Sequence, residues 1–312
     1  MTDAPATAVF SGISDVERET GVAKETLRVW ERRYGFPAPV RDANGERSYS
    51  PQDVQRLRLV KRLLDMGYRP GKIIDFSTDE LAALVGKAAR TPLRSGDDPE
   101  LRGCLELLKA HKLHALRQRL SQAMPQMGMQ RFVIELVAPL TTAVGDAWSS
   151  GEIAVFEEHL YAELLQSVMR SAIYAVTPQG ASSDAAPRIL LTTVPQERHG
   201  LGLLMAEALF ALEGAHCVSL GVQTPLADIA EAARVQRSDV VALSFSSVLS
   251  PRAAVENVTA LRRRLGATAE IWVGGSSATL ARRHLGPDTV LDLPEIHGAV
   301  ARWRARHGRA AA

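Results

Sequence analysis

An acid, a histidine and a glycine stand at the end of an apolar run in Glu197-Arg198-His199-Gly200-Leu201-Gly202, which reads E-x-H-x-x-G. The run before it, Arg188-Ile189-Leu190-Leu191-Thr192-Thr193-Val194, has the composition of a buried parallel strand. Counting onward, 41 residues separate Gly202 from Ser244, and 27 separate Ser246 from the pair Gly274-Gly275. An imidazole can ligate a transition metal, and a carboxylate on its other nitrogen orients it and raises its basicity. A histidine alone in such a loop is more often a plain surface residue. The repeated spacing to two further small-residue motifs argues for a site.

The triple resembles the D-x-H-x-x-G … S-x-L … G-G signature of the cobalamin-binding Rossmann-like domain. The resemblance implies that His199 is the lower axial ligand of cobalt, replacing the cofactor's own dimethylbenzimidazole base. Glu197 takes the place of the family Asp. Gly202, Ser244, Gly274 and Gly275 then leave a slot for the displaced nucleotide tail. Ser246 stands where the signature has Leu, a departure expected to alter packing only. The surrounding pattern agrees, with strands expected at Ile189–Val194, His216–Leu220, Val240–Phe245, Ile271–Gly274 and Thr289–Leu293. Helices are expected between them, over Gly202–Glu213, Leu226–Gln236, Pro251–Leu265 and Ser277–Leu285. Such alternation predicts a doubly wound parallel sheet with ligands at the carboxyl ends of its strands, where the three motifs fall.

The whole chain must hold more than this domain. Its 312 residues are long for one domain, and 46% hydrophobic content suits proper cores. No apolar stretch reaches the roughly 18 residues of a membrane span, so no membrane partner is expected. Met1-Thr2-Asp3-Ala4-Pro5 lacks the character of a signal peptide, and only Cys104 and Cys217 could pair. A reducing, cytoplasmic location is the expectation. The net charge of +2 hides an asymmetry: thirteen Lys/Arg against seven Asp/Glu between Arg18 and Lys72 give that stretch about +6. A basic module on a slightly acidic body suits a nucleic-acid reader joined to a sensor.

That module has its own punctuation. Ser14 is placed to cap a helix ending at Thr20, Gly21 supplies a turn, and Ala23 to Tyr34 carries Leu27, Trp30 and Tyr34 on one face. Asn44-Gly45 between Val40-Arg41 and Arg47-Ser48-Tyr49 is a hairpin signal. Ser50-Pro51 then opens a helix that Gly67 stops. The runs T-L-R-x-W-E-R-R-Y-G, R-x-x-N-G-x-R-x-Y and L-x-x-M-G resemble the MerR winged-helix family across about residues 10–80. By that resemblance Thr26, Arg28 and Arg32 face double-stranded operator DNA from the recognition helix, and Arg41, Arg47 and Tyr49 from the wing. Trp30 reads as a core anchor.

Between these modules lie a Pro/Gly-rich stretch and a helical segment with repeated leucine spacing, where Pro139 is expected to bend or break a helix. The stretch Gly145-Asp146-Ala147-Trp148, followed by Val155, Glu158 and His159, resembles the capping segment of the CarH-type light-sensing regulators, which use adenosylcobalamin. The resemblance implies that Trp148 covers the upper cobalt face, with Val155, Glu158 and His159 nearby. Ser149 stands where light-sensing members have a second His.

The expected architecture is therefore multidomain, α and α/β. It comprises a winged helix-turn-helix at 1–86, a linker at 87–99, a four-helix bundle at 100–180 and a Rossmann-like doubly wound domain at 187–306. The expected function is a cobalamin-dependent, light-responsive repressor, not an enzyme. It is expected to act as a homo-oligomer, dimer or tetramer, that binds its operator in the dark. Ser149 leaves open the alternatives of cobalamin sensing without light, or a bilin or haem in the same cavity. A cobalamin-dependent methyltransferase module is less favoured, because no substrate domain is in view.

Overall fold

A computed structural model of the chain describes residues 10–42, 44–65, 68–88, 98–176 and 186–307. The helix stop at Gly67 lies outside those residues, as does most of the expected linker. The chain forms two compact units: Met1–Leu93 with Gly145–Val155, and Arg94–Val144 with Phe156–Ala312.

The first unit opens with a short strand, β1 (Ser11–Gly12), and helix α1 (Ile13–Thr20). Helix α1 starts one residue before the expected Ser14 cap, and its N-cap, Gly12, has no side chain to contribute. Gly21 follows at φ 70°, a left-handed conformation that favours glycine, and its N–H closes the helix on Glu17 O. Helix α2 (Lys24–Tyr34) turns away from it, and the hairpin β2 (Val40–Arg41) and β3 (Arg47–Tyr49) forms the wing. The three strands make an antiparallel sheet in the order β1-β3-β2. Helix α3 (Pro51–Asp65) begins where Ser50 Oγ accepts from Asp53 N at 3.1 Å, and α4 (Pro70–Ile73) and α5 (Thr78–Ala88) complete the head. Val16, Leu27, Trp30, Leu57, Leu63 and Leu81 form its core.

The second unit carries helices α6 (Pro99–Lys109), α7 (Leu113–Met127), α8 (Met129–Arg131), α9 (Ala138–Ser150) and α10 (Val155–Val176). The residues of α9 from Gly145 onward pack in the first unit. Pro139 does not break the chain's helical course. Phe132–Val137 is a π-helical segment instead, and α9 runs through the proline. Proline has no N–H, and its ring crowds the carbonyl four residues back; widening the turn before it relieves both.

From β4 (Arg188–Thr192) strands and helices alternate: α11 (Leu201–Leu212), β5 (His216–Gly221), α12 (Leu226–Val235), β6 (Val240–Ser244), α13 (Pro251–Leu265) and β7 (Glu270–Gly274). The sheet is parallel, in the order β5-β4-β6-β7. Leu190, Val241, Leu243 and Val273 join Ile229, Val258 and Leu261 of the helices in one core. The helix expected over Ser277–Leu285 is divided at Ala281 into α14 (Ser276–Leu280) and α15 (Arg282–Leu285). The expected fifth strand, Thr289–Leu293, is reduced to a single bridge between Val273 and Val290. Two hydrogen bonds join it to β7, and then Asp292 caps a 3-10 turn over Leu293–Glu295 that leads into α16 (Ile296–His307). Pro294 removes the donor that a longer ladder would need. No helix among the described residues is long and apolar enough to cross a membrane.

Candidate functional site

The site is built where β4 and β6 end. In a sheet of order β5-β4-β6-β7, the first and third strands of the domain lie side by side, and the chain winds outward on either hand. That is the topological switch point, where an open α/β sheet leaves a crevice outside its carboxyl ends. The loop from β4 to α11 is pinned there by Thr193. Its Oγ1 donates to Glu197 O at 2.5 Å and accepts from Gln223 N at 2.8 Å.

Glu197 is thereby turned inward, at 0% exposure. Its Oε1 accepts from His199 N at 2.9 Å and from His199 Nδ1 at 2.7 Å. Its Oε2 accepts from Ser246 N and Ser246 Oγ, both at 2.7 Å. Burial pushes the carboxyl up, but the hydrogen bonds from His199 and Ser246 outweigh it and hold the group below the usual carboxylate range. An ionised acceptor on Nδ1 places the ring proton there and leaves the lone pair on Nε2. Among the described residues Nε2 has no hydrogen-bond partner, and the side chain is 41% exposed.

Ser246 corrects the expectation that it alters packing only. Its hydroxyl fills half of the Glu197 acceptor set across the crevice, and it lies 3.2 Å from His199 Nδ1. Gly202, Gly274 and Gly275 stand close by as backbone without side chains. A Cβ on Gly202 would lie 2.9 Å from Ser244 Oγ, and one on Gly275 only 2.3 Å from Phe245 O. A free imidazole nitrogen of fixed tautomer, beside a wall where Cβ atoms have no room, fits a cobalt ligated by histidine and a slender group lying along the strand ends. The pinning role of Thr193 was missed from sequence, where its signal was a pair of threonines inside an apolar strand.

The residues expected over the cofactor fall in both units. Trp148 and Val155 belong to the first unit, Glu158 and His159 to the second. His159 is 71% exposed and sits 3.6 Å from Glu158, while the neighbouring Glu157 accepts from His111 Nε2 at 2.9 Å. Ser149 is buried, and its hydroxyl donates to Gly145 O at 2.7 Å.

In the head, Glu25, Arg28, Val29, Arg32 and Arg33 line the exposed face of α2, with Thr26 half-buried. Arg41 is exposed on the wing and donates to Gly45 O. Two wing residues differ from expectation. Arg47 is paired with Glu31 of α2 at 2.8 Å, and Tyr49 is buried at 0% exposure in the core, so both hold the wing against the helix. The reason is the pleat: on β3, Tyr49 faces inward, into the core that Val16, Leu27 and Leu57 share. Val29, an apolar residue among four charged ones, was not anticipated; helical spacing from Arg28 and Arg32 would have found it. Replacing Arg28 or Arg32 with Ala is expected to weaken DNA binding and lower the salt dependence of the affinity by about one counterion each. A salt titration of binding by the full chain measures this, and an unchanged slope would remove the residue from the interface.

Three family descriptions match the chain. Residues 12–86 match the MerR HTH family regulatory protein, and residues 187–292 and 100–172 match two models described as B12 binding domains. Neither B12 match supports a bilin or haem. The transcriptional repressor CarH of Myxococcus xanthus is 30% identical over 83% of this chain and 86% of that protein. The repressor CarA of the same organism is 31% identical over 88% of both. Methionine synthase of Mycobacterium tuberculosis matches at 27% over 51% of this chain but only 13% of the enzyme. The Methanosarcina barkeri monomethylamine corrinoid protein shares the fold, with a TM-score of 0.52 at 13% identity over 64% of this chain and 96% of that one. CarH and CarA, matched along most of their length, are transcriptional repressors, whereas the methionine synthase match is confined to a small part of that enzyme. The chain belongs to the family of MerR-type transcriptional repressors that join a helix-turn-helix head to B12-binding domains, the family of CarH and CarA.

Proposed function

We propose that this cobalamin-binding repressor uses adenosylcobalamin, held by His199, to control an oligomer that binds operator DNA in the dark and releases it in light. The observation that carries the reading is the Glu197–His199–Ser246 constellation at the switch point, in a chain whose other end is a MerR head. Bound adenosylcobalamin supplies a cobalt–carbon bond that light can break. The chain's own residues supply the rest. Glu197 fixes the tautomer of His199, Gly202, Ser244, Gly274 and Gly275 would leave space for the nucleotide tail, and Trp148, Val155, Glu158 and His159 would shield the bound cofactor. Arg28, Arg32 and Arg41 bind phosphate, and several heads acting together multiply a weak single-head affinity. Moving an assembly from 99:1 to 1:99 requires about 5.5 kcal/mol of differential stabilisation.

One observation favours a second reading, cobalamin sensing without light. Ser149 stands where light-sensing members have His, and its hydroxyl is already committed to Gly145 O. Serine is a poor cobalt ligand beside imidazole. The two readings separate in one experiment: absorption spectra and size-exclusion of the protein loaded with adenosylcobalamin, before and after green illumination. The light-responsive reading expects a histidine-ligated spectrum that shifts with light together with a falling mass. A spectrum without change of mass leaves the sensor and removes the photoreceptor. No binding overturns the cofactor assignment.

A further inference from the structure

Residues 145–155 carry two affiliations. By sequence they lie inside the helical B12-binding match at 100–172, yet by packing they belong with the DNA-binding head. The contact is made by one face of α3, where Gln55, Arg58 and Arg62 follow at helical spacing. Gln55 Nε2 donates to Ser150 O at 2.8 Å, and the same side chain closes over Gly151, where a Cβ would come within 2.9 Å of it. Arg62 donates to Gly145 O at 3.3 Å and forms an ion pair with Asp146. Arg58 lies over the Trp148 ring, 5.2 Å from its centroid, and pairs with Glu19 of α1.

These arginines are withdrawn from water. The side chains of Arg58 and Arg62 are 11% and 17% exposed, and burial lowers the pKa of Arg62. Surface arginines on a DNA-binding head have no need of such burial, so the face is shaped for its occupant. The Arg62–Asp146 pair is buried only on the arginine side, since the Asp146 side chain is 42% exposed, so the grip on the segment comes from the Arg62 and Gln55 hydrogen bonds and the Arg58–Trp148 contact together with it. The fit is also incomplete. Trp148 Nε1 and Arg58 Nε are buried without a hydrogen-bond partner among the described residues. A buried donor left unmet raises the free energy of the state that contains it. A clamp with unmet donors is one that a competing environment for Trp148 can shift.

We propose that the α3 face of Gln55, Arg58 and Arg62 is a docking surface for the segment 145–155, and that this contact couples cobalamin occupancy to the DNA-binding head. The coupling rests on the reading above, in which Trp148 covers the cofactor; the docking does not. The route into the head is short. Leu57 and Val60 of α3 share a core with Leu27 and Trp30 of the recognition helix, so whatever α3 grips biases the helix that faces DNA. Coupling of this kind is reciprocal: DNA bound to the head must change cobalamin affinity by the factor by which cobalamin changes DNA affinity.

Amide hydrogen exchange on the full chain tests both halves. The proteins are wild type, the double variant Arg58→Ala/Arg62→Ala and the milder Gln55→Ala, each in the dark with and without adenosylcobalamin, with binding read from the absorption spectrum. Without cofactor, exchange across 145–155 is expected to rise more than about tenfold in the double variant and less in Gln55→Ala, with α7 and α13 unchanged. Unchanged exchange across 145–155 in both variants overturns the docking. With cofactor bound, α3 exchange is expected to change in wild type and to stay constant in the double variant. A wild-type α3 that ignores bound cobalamin overturns the coupling. Failure of every protein to bind cobalamin overturns the coupling together with the function above, while the docking still stands or falls on the cofactor-free comparison.

Discussion

Replacing Glu197 with Gln is expected to weaken cobalamin binding about 10- to 100-fold, the usual loss when a residue that orients a metal-ligating imidazole is removed. The carboxylate takes four donors on two oxygens, from His199 N and Nδ1 and from Ser246 N and Oγ. Glutamine keeps the size but has one acceptor oxygen, so whichever way it is turned, its NH2 meets two of those donors. Each buried donor left unmet costs about 1–3 kcal/mol. The second unit should therefore lose stability as well as affinity. Ser246→Ala, which removes only the Oγ donor and keeps the Ser246 N–H, should fall between wild type and Glu197→Gln in both respects.

The pH dependence of this loss has a definite sign. The folded carboxyl lies below its ordinary range, so it contributes stability that is complete above about pH 4.3, the unfolded value. That contribution is lost as pH falls further through the depressed folded value. Glutamine carries no such charge, so the gap between wild type and variant should be full near neutrality and close in acid. Absorbance titrations with hydroxocobalamin and thermal unfolding from about pH 3 to pH 7 measure the two effects. An affinity equal to wild type would show that Glu197 does not orient the ligand.

Gly275→Ala is expected to destabilise the second unit by about 3 kcal/mol. Gly275 has φ 95°, and a Cβ there would lie 2.3 Å from Phe245 O and 2.9 Å from Phe245 C. Both atoms are backbone at the end of β6, where Phe245 N donates to Gly274 O at 2.9 Å, so neither can rotate away. Relief requires β6 and β7 to separate where the crevice begins. For a unit of this size the cost corresponds to a fall in melting temperature of about 6–12 °C. Gly202→Ala is the comparison. Its new Cβ meets Ser244 Oγ, which a rotamer change moves aside, so stability should change little while cobalamin binding falls. A Gly275→Ala protein that melts like wild type would mean that the Phe245 carbonyl has room that the structure denies it.

What the sequence revealed depended on how local the signal was. The strands β4 to β7 were legible because each is an apolar run bounded by turn residues, and His199 because its motif is contiguous and follows β4. The head was legible for the same reason: Gly21, Asn44-Gly45 and Ser50-Pro51 are punctuation that acts through neighbouring residues. Ser246 was misread because its role is a hydrogen bond to a residue 49 positions away. Arg47 and Tyr49 were assigned to DNA because a wing usually presents such side chains; their partners, Glu31 and the core, exist only once β3 has taken its place in the head. The fifth strand failed where Asp292 and Pro294, both visible, combined into a helix start that a strand pattern of Thr289–Leu293 concealed.

The π-helical segment at Phe132–Val137 sets the angular phase of everything after it. One residue added to a helical turn rotates the downstream face by about 100°. Helix α9 follows directly, and its last residues carry Trp148 toward Arg58 and hide the hydroxyl of Ser149. Which of these two neighbours looks inward is thus decided some ten residues upstream, by the winding of one turn. Evolution could exchange their exposures by inserting or deleting a single residue there, leaving both side chains untouched.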